Sequence, residues 1–307
     1  PAISIVIVNW NGRAPLARCL PSVLAQQGPS REVIVVDNAS ADASADFVRT
    51  AHPEVRLVTL DTNRGFTGGN NAGAAVATGD TLVFLNNDTV VEPGWLEALV
   101  GGLDLASGVA LVSSRIVYMH APETIDSAGD GFIRWGGAYK RFHGAPSSEA
   151  WETTEVFGVC GGACAVARRV FEELGGFDDT FFFSHEDVDL SYRALLRGYR
   201  CRYVASAVVH HHGGGTSGKA SPFAVFHGQR NLEWVYLKDT PADLLWRTWP
   251  GHVLYVLAAA VHFVRVGRFG AFLRAKGAAL AGVPRVDRKS TRLNSSHIPL
   301  SRMPSSA

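Results

Sequence analysis

The chain has 307 residues, 47% of them hydrophobic and 19% charged, which is the balance of a globular protein with a large core and excludes a disordered one. Lys and Arg (29) nearly cancel Asp and Glu (28), so no global basic field marks a nucleic-acid binder, and an anionic ligand has to be held by local geometry. Cys19, Cys160, Cys164 and Cys201 lack paired CxxC spacing and read as reduced cysteines, and the N-terminus enters a strand-like run with no leader pattern. A cytoplasmic protein is expected.

Short β-branched runs at Ile3–Val8, Val33–Val36, Val55–Leu60 and Thr81–Leu85 have the continuous apolar character of strands covered on both faces. Between the first two, Leu16, Leu20, Val23 and Leu24 recur at helical spacing, with a kink or late start expected at Pro21. Further helices are expected at Asp42–Thr50 and Asn71–Ala77. The alternation predicts a mostly parallel central sheet flanked by helices, with ligands at the carboxyl ends of its strands. Polar residues gather at those ends: Asn9 and Asn11, Asp37 and Asn38, Asn63 to Asn71, then Asn86-Asn87-Asp88.

Three segments carry candidate chemistry. Phe84-Leu-Asn-Asn-Asp88 delivers a carboxylate to a sheet edge, where Mg²⁺ or Mn²⁺ seeks oxygen ligands, although Asn-Asn-Asp is also good turn chemistry. Asn63 through Gly73 opens a helix whose glycines and N-terminus suit an anion, or is a flexible loop before a capped helix. Ser184-His-Glu-Asp-Val-Asp189 precedes a helix over Val188–Arg197. Asp187 there is either a general base or a first-turn acid complementing the helix dipole, with Ser184 as N-cap. His210-His211-His212 follows a strand around Arg202–Val209; period two puts His210 and His212 on one side and His211 on the other.

Tyr118 to Glu155 is irregular and glycine-rich, the pattern of a long loop shaping a binding surface. After Ser217 the character changes. Trp246, Trp249 and the apolar run Val253–Val266 are followed by Arg268, Arg274, Lys276, Arg285 and Arg288. This is short for a membrane span and reads either as an interfacial amphipathic segment or as packed helices. A catalytic domain is expected over 1–217 and a helical segment over 218–288. The Ser- and Arg-rich tail 289–307 resembles translated adapter sequence, foreign to the fold.

Taken in order, Val8-Asn-Trp-Asn-Gly12, Val36-Asp-Asn-Ala-Ser40, Asn63–Gly73 and Leu85-Asn-Asn-Asp-Thr89 resemble the family 2 inverting glycosyltransferases of the GT-A fold, in particular a bacterial rhamnosyltransferase-like branch. Gly161-Gly-Ala-Cys164, Gly175-Gly-Phe-Asp178, Phe182–Arg193, the histidine run and Arg230-Asn231 extend the resemblance over residues 2 to 240. It implies that Asp37 meets the nucleotide base, with Asn9, Asn11, Gly65 and Asn70 as further nucleotide contacts. Asp88 would bind the metal, Asn86 standing where the family's first acid would be, with His210 approaching metal or diphosphate and His212 as an accessory. Asp187 would be the catalytic base and Glu186 its acceptor-site neighbour. A nucleoside-diphosphate sugar donor (rhamnose on thymidine diphosphate is one) and a saccharide or lipid-linked saccharide acceptor in cell-envelope synthesis follow, as does contact with the inner face of the plasma membrane. A non-catalytic saccharide or nucleotide module and a nucleotidyltransferase remain alternatives on the same fold.

Overall fold

Continuous apolar strands need cover on both faces, and the chain folds back on itself to supply it. The computed structural model describes residues 2–213 and 221–290, with side chains to 282. The expected boundary at 217 and the expected tail from residue 291 onward lie outside the described residues. Strand β1 (Ile3–Asn9) leads through α1 (Arg13–Leu24) to β2 (Arg31–Asp37), then through α2 (Ser44–Ala51) to β3 (Arg56–Thr59). Helix α3 (Gly65–Val76) returns the chain to β4 (Thr81–Asn86), which pairs with β1. These four strands are parallel and end in register, Asn9 opposite Asp37 and Val8 opposite Asn86. Helix α1 begins at Arg13 and continues through Pro21, so the late start expected there does not occur.

The chain continues as β5 (Thr89–Val91), α4 (Trp95–Gly101), β6 (Val109–Tyr118) and β7 (Ala121–Ser127). The hairpin of β8 (Asp130–Ile133) and β9 (Gly137–Lys140) precedes β10 (Thr154–Val156), β11 (Ala163–Ala167) and α5 (Arg168–Glu173). Then follow α6 (Glu186–Leu196), β12 (Arg200–His211), α7 (Pro222–Asp239), α8 (Ala242–Arg265) and α9 (Phe269–Ser290). The sheet runs β10-β12-β6-β11-β4-β1-β2-β3, with β5 on β12 and β7 on β6; β11 is antiparallel to both neighbours, so the sheet is parallel in its first half and mixed beyond. The segment expected to be irregular, 118–155, therefore contains three strands, whose alternation in sequence is diluted by glycine.

Successive strand residues serve opposite cores. Val6, Ile34, Val36 and Phe84 join Ala74 and Phe171 on one face, while Ile5, Ile7, Val35 and Val83 join Leu16, Leu20, Val48 and Trp95 on the other. Helix α3 lies so close to β1 that a Cβ on Gly73 would sit 2.3 Å from Val6 Cγ1, which is why this helix is built of small residues.

The three C-terminal helices are tied to the sheet-bearing part of the chain. Leu232, Trp234 and Val235 of α7 pack with Val188 and Tyr192 of α6 and with Ala279 of α9. Beneath them lies a buried charge network: Asp189 accepts from Arg193 Nε (2.9 Å) and ion-pairs with Lys238, which also reaches Asp178 at 3.1 Å. No helix among the described residues is long and apolar enough to cross a membrane.

Candidate active site

The carboxyl ends of β1 and β2 make a polar crevice. Ser40 knits it, its hydroxyl accepting from the Asn11 backbone N–H at 3.0 Å while its own N–H donates to Asp37 Oδ2 at 3.1 Å. Asn11 in turn accepts from Ala41 N at 2.7 Å. Asp37 is 4% exposed, and its Oδ1 is buried with no hydrogen-bond partner among the described residues. A buried carboxylate oxygen without a donor is costly, and it marks a place where a ligand N–H completes the set. Asn9 Oδ1 accepts from Asn87 Nδ2 at 2.7 Å, which joins this crevice to the end of β4.

Beyond β4, Asp88 meets the histidine run. His211 is the residue that reaches it, with Nε2 3.2 Å from Asp88 Oδ1 and Nδ1 2.7 Å from Asp126 Oδ2. His210, expected to approach metal or diphosphate, faces away from Asp88 and pairs with Glu92 at 2.9 Å. His212 is exposed and contributes its backbone N–H to the Asp88 carbonyl at 3.0 Å. The cause is a register irregularity between Val204 and Val208 in the pairing of β12 with β6. Cys201 and Tyr203 face one core, Ala207 and Val209 the other, so the irregularity changes which face the odd-numbered residues take, while neighbouring histidines still alternate.

Burial acts against the His211 imidazolium, but the hydrogen bonds and charges of Asp126 and Asp88 outweigh it and push its pKa up to about 9. Burial likewise acts to raise the Asp88 carboxyl, and the hydrogen bond and charge of His211 carry it below its ordinary value instead. Lys140 Nζ donates to both oxygens of Asp126, at 3.1 and 3.2 Å, which fixes that carboxylate against the imidazole. Asp126 and Lys140 come from β7 and β9, inside the segment that sequence reasoning took for a loop.

His211 opens onto a pocket of about 270 Å³ bordered by Asn86, Asp130, Gly161, Glu186 and Asp187. The three acids that open α6 take separate roles. Asp189 belongs to the buried network. Asp187 points into the pocket, its Oδ2 accepting from Gly161 N at 2.7 Å and its Oδ1 from Val188 N at 2.9 Å. Glu186 and Asp130 flank it, each with a buried oxygen lacking a partner among the described residues. Burial first, and then the charge of Asp187, pushes both of these carboxyls well above the usual range, in the direction of the neutral acid. Nothing in the sequence separates Asp130 from any other surface acid.

The turn before α6 is conformationally costly. Phe182, Ser184 and His185 all have positive φ, 63°, 74° and 66°. Asn231, fully buried, holds it: Nδ2 lies 3.0, 2.8 and 2.7 Å from the carbonyls of Phe181, Phe183 and Ser184. Ser184 does not cap the helix as expected; the N-cap position is His185, and no side chain bonds there. Asn231→Ala leaves the Phe183 and Ser184 carbonyls without a donor, while that of Phe181 keeps Phe183 N and Arg230, with an expected loss of about 1–3 kcal/mol in stability. Turnover should fall with it while donor affinity holds; an unchanged melting temperature in thermal denaturation would remove Asn231 from this role.

Two residues expected as nucleotide contacts have partners within the fold. Asn70 is buried and donates into its own helix, to Phe66 O at 2.9 Å. Gly65 (φ +70°) lies so close to the Phe182 carbonyl that a Cβ would stand 2.3 Å from it. That same carbonyl accepts from Phe66 N at 2.7 Å, so the N-terminus of α3, expected to attract an anion, is already satisfied from within. Asn86 borders the pocket as an accessory at most, its backbone N–H donating to Gly162 O at 2.9 Å. All four cysteines are free and buried.

Among the described residues no three His, Cys, Asp or Glu side chains form a ready metal cage. Asp88 and His211 set an oxygen and a nitrogen side by side next to the pocket, and with the Nε2 proton displaced they would be a donor pair suited to a divalent ion whose other positions are filled by a ligand.

Comparison with known proteins agrees with this geometry. The sequence model of "Glycosyl transferase family 2" matches residues 4–175. The succinoglycan biosynthesis protein ExoO of Rhizobium meliloti is 36% identical over 115 residues, 37% of this chain and 33% of that protein, so the chain spans a third of that relative's length. The N-acetylglucosaminyl-diphospho-decaprenol L-rhamnosyltransferase of Mycobacterium tuberculosis is 28% identical over 268 residues, 77% of this chain and 84% of the relative. Among solved structures, the mannosyltransferase PcManGT of Pyrobaculum calidifontis, in complex with GDP-Man and Mn²⁺, superposes with a TM-score of 0.57 at 20% identity, over 95% of this chain and 85% of that one. This likeness shows a shared GT-A fold.

Proposed function

The chain belongs to glycosyl transferase family 2, and on that premise we propose that it moves a sugar, with inversion, from a nucleoside-diphosphate sugar to an acceptor hydroxyl. The observation that carries this reading is Asp187, a carboxylate pinned by a backbone N–H inside a pocket and flanked by the buried carboxyls of Glu186 and Asp130. Asp187 takes the proton of the acceptor hydroxyl. The freed oxygen bonds to the anomeric carbon as the bond from that carbon to the diphosphate oxygen breaks, and the nucleoside diphosphate leaves with the electron pair. Glu186 and Asp130 donate to acceptor oxygens and position the attacking hydroxyl.

Asp37 receives an N–H of the nucleotide base through its unpartnered oxygen, with Asn9 and Asn11 framing the crevice. Asp88 and His211 hold a divalent metal, Mg²⁺ or Mn²⁺. When bound, that ion supplies charge to the diphosphate leaving group. The acceptor is a saccharide or a lipid-linked saccharide of the cell envelope, used at the cytoplasmic face of the membrane; the decaprenol acceptor in the name of the Mycobacterium relative supports the lipid-linked form. The test is product analysis with a panel of nucleoside-diphosphate sugars and Mn²⁺. Free nucleoside diphosphate is expected. Released pyrophosphate would indicate a nucleotidyltransferase, and binding without turnover a non-catalytic module.

A further inference from the structure

Among the described residues, the outer face of α8 is an unpartnered apolar surface. Trp246, Trp249, Val253, Leu257, Val261 and Val264 recur every three or four residues along it, and all are exposed, Trp246 by 78% and Leu257 by 57%. At 24 residues the helix is about 36 Å long. Its opposite face is spent on the protein: Val256, Ala259, Ala260 and Phe263 pack with Phe272 of α9 and Val225 of α7. Leu273 and Leu280, both exposed, carry the apolar surface onto α9. Such a surface on a soluble monomer is costly unless something covers it.

We propose that this face seats the protein on an anionic phospholipid bilayer, with α8 lying in the interface plane. Charge selects this occupant. Arg247 and Arg265 are exposed along the flank of the stripe and Arg274 is exposed on α9, whereas the only acid on α8 is Asp243 in its first turn. An apolar stripe edged by arginine and begun by tryptophan matches the lipid headgroup boundary. No described helix is able to span the bilayer, so the contact is lateral.

The inner side of the same helix is tied to the pocket wall. His252, on the inner side of α8, lies with Nδ1 2.8 Å from the Trp135 carbonyl at the tip of the β8–β9 hairpin. Gly251 gives the Trp135 ring its room, since a Cβ there would come within 2.5 Å of it. Tyr255 packs under the same hairpin, 3.1 Å from the Cβ position of Gly137. This hairpin carries Asp130, Tyr139 and Lys140 into the pocket. A helix seated among headgroups therefore holds the pocket at the level where the sugar of a lipid-linked acceptor emerges. The seating deepens the transferase reading in naming where the acceptor is met, and it rests on that reading only for that step.

Flotation of the full chain with phosphatidylglycerol–phosphatidylethanolamine vesicles tests it, with phosphatidylcholine vesicles as the uncharged comparison. The protein is expected to float with the anionic vesicles at low salt and to be released at high salt. Leu257→Asp combined with Val261→Asp should abolish flotation, and Arg247→Gln or Arg265→Gln should each weaken it about fivefold. Failure of the wild-type chain to float overturns the proposal, as does equal flotation of the Leu257→Asp, Val261→Asp variant. A concentration-dependent dimer that the same variant dissolves, without flotation, also overturns it in favour of a second copy of the chain. Flotation is scored without substrate, and donor turnover of the Leu257→Asp, Val261→Asp variant is measured without vesicles, both side chains lying on the exposed face of α8 and away from its contact with the β8–β9 hairpin. Loss of one and loss of the other are therefore separate results.

Discussion

Asp187→Asn is expected to lower turnover by about 10²–10⁴-fold while donor binding is preserved. The amide matches the carboxylate in shape but cannot take a proton from the acceptor hydroxyl. The structural cost is bounded by the contacts Asp187 makes. Its two oxygens accept from Gly161 N and Val188 N, and an amide satisfies only one of them, so about 1 kcal/mol of stability is expected to go. Asp189→Asn supplies the reference for damage to the same helix. It removes charge from a buried network with Arg193 and Lys238, where losing one partner costs about 3–5 kcal/mol. Steady-state kinetics and thermal denaturation of the two variants separate the cases. Activity loss in Asp187→Asn that merely tracks a fall in melting temperature, as in Asp189→Asn, would return Asp187 to a helix-terminal role.

How far the sequence speaks depends on how local the cause is. The strands of the first half are legible because each is buried on both faces, so Ile3–Val8 and Thr81–Leu85 read as unbroken apolar runs. Their polar ends are legible for the same reason: the register of β1, β2 and β4 puts Asn9, Asp37 and Asn86 along one edge. The acids opening α6 are visible, yet their division of labour is not. Asp189 is claimed by Lys238 from a helix some 50 residues downstream in sequence, and Asp187 by a backbone N–H from Gly161. The helix that begins at Gly65 looked like an anion site because its occupant, the Phe182 carbonyl, comes from far along the chain. The histidine run shows the same limit in strand form. Alternation is correct between neighbours, but an upstream irregularity sets which face each one takes. Asp126, Asp130 and Lys140 escaped notice because only the strand pairings of the 118–155 segment turn them toward Asp187 and His211.

Asp88→Ala is expected to remove the Mn²⁺-dependent part of nucleoside-diphosphate affinity, leaving only the metal-independent binding at the Asp37 crevice. The argument is one of donors. Asp88 and His211 are the pair available at the pocket rim, and without the carboxylate a divalent ion keeps only a single imidazole from the protein. His211→Ala should act in the same direction. Asp126→Asn tests the support behind it. Asp126 holds His211 Nδ1 at 2.7 Å and so aims Nε2 at Asp88, and loss of such an orienting partner typically weakens metal affinity about 10–100-fold. His210→Ala is the control, because its imidazole is engaged with Glu92 on the other side of the strand and should leave metal-dependent binding intact. Titration calorimetry with a nucleoside diphosphate, with and without Mn²⁺, reads all four variants. Unchanged Mn²⁺ dependence in Asp88→Ala, or a loss in His210→Ala that exceeds the loss in His211→Ala, would overturn the assignment of this pair as the metal-holding residues.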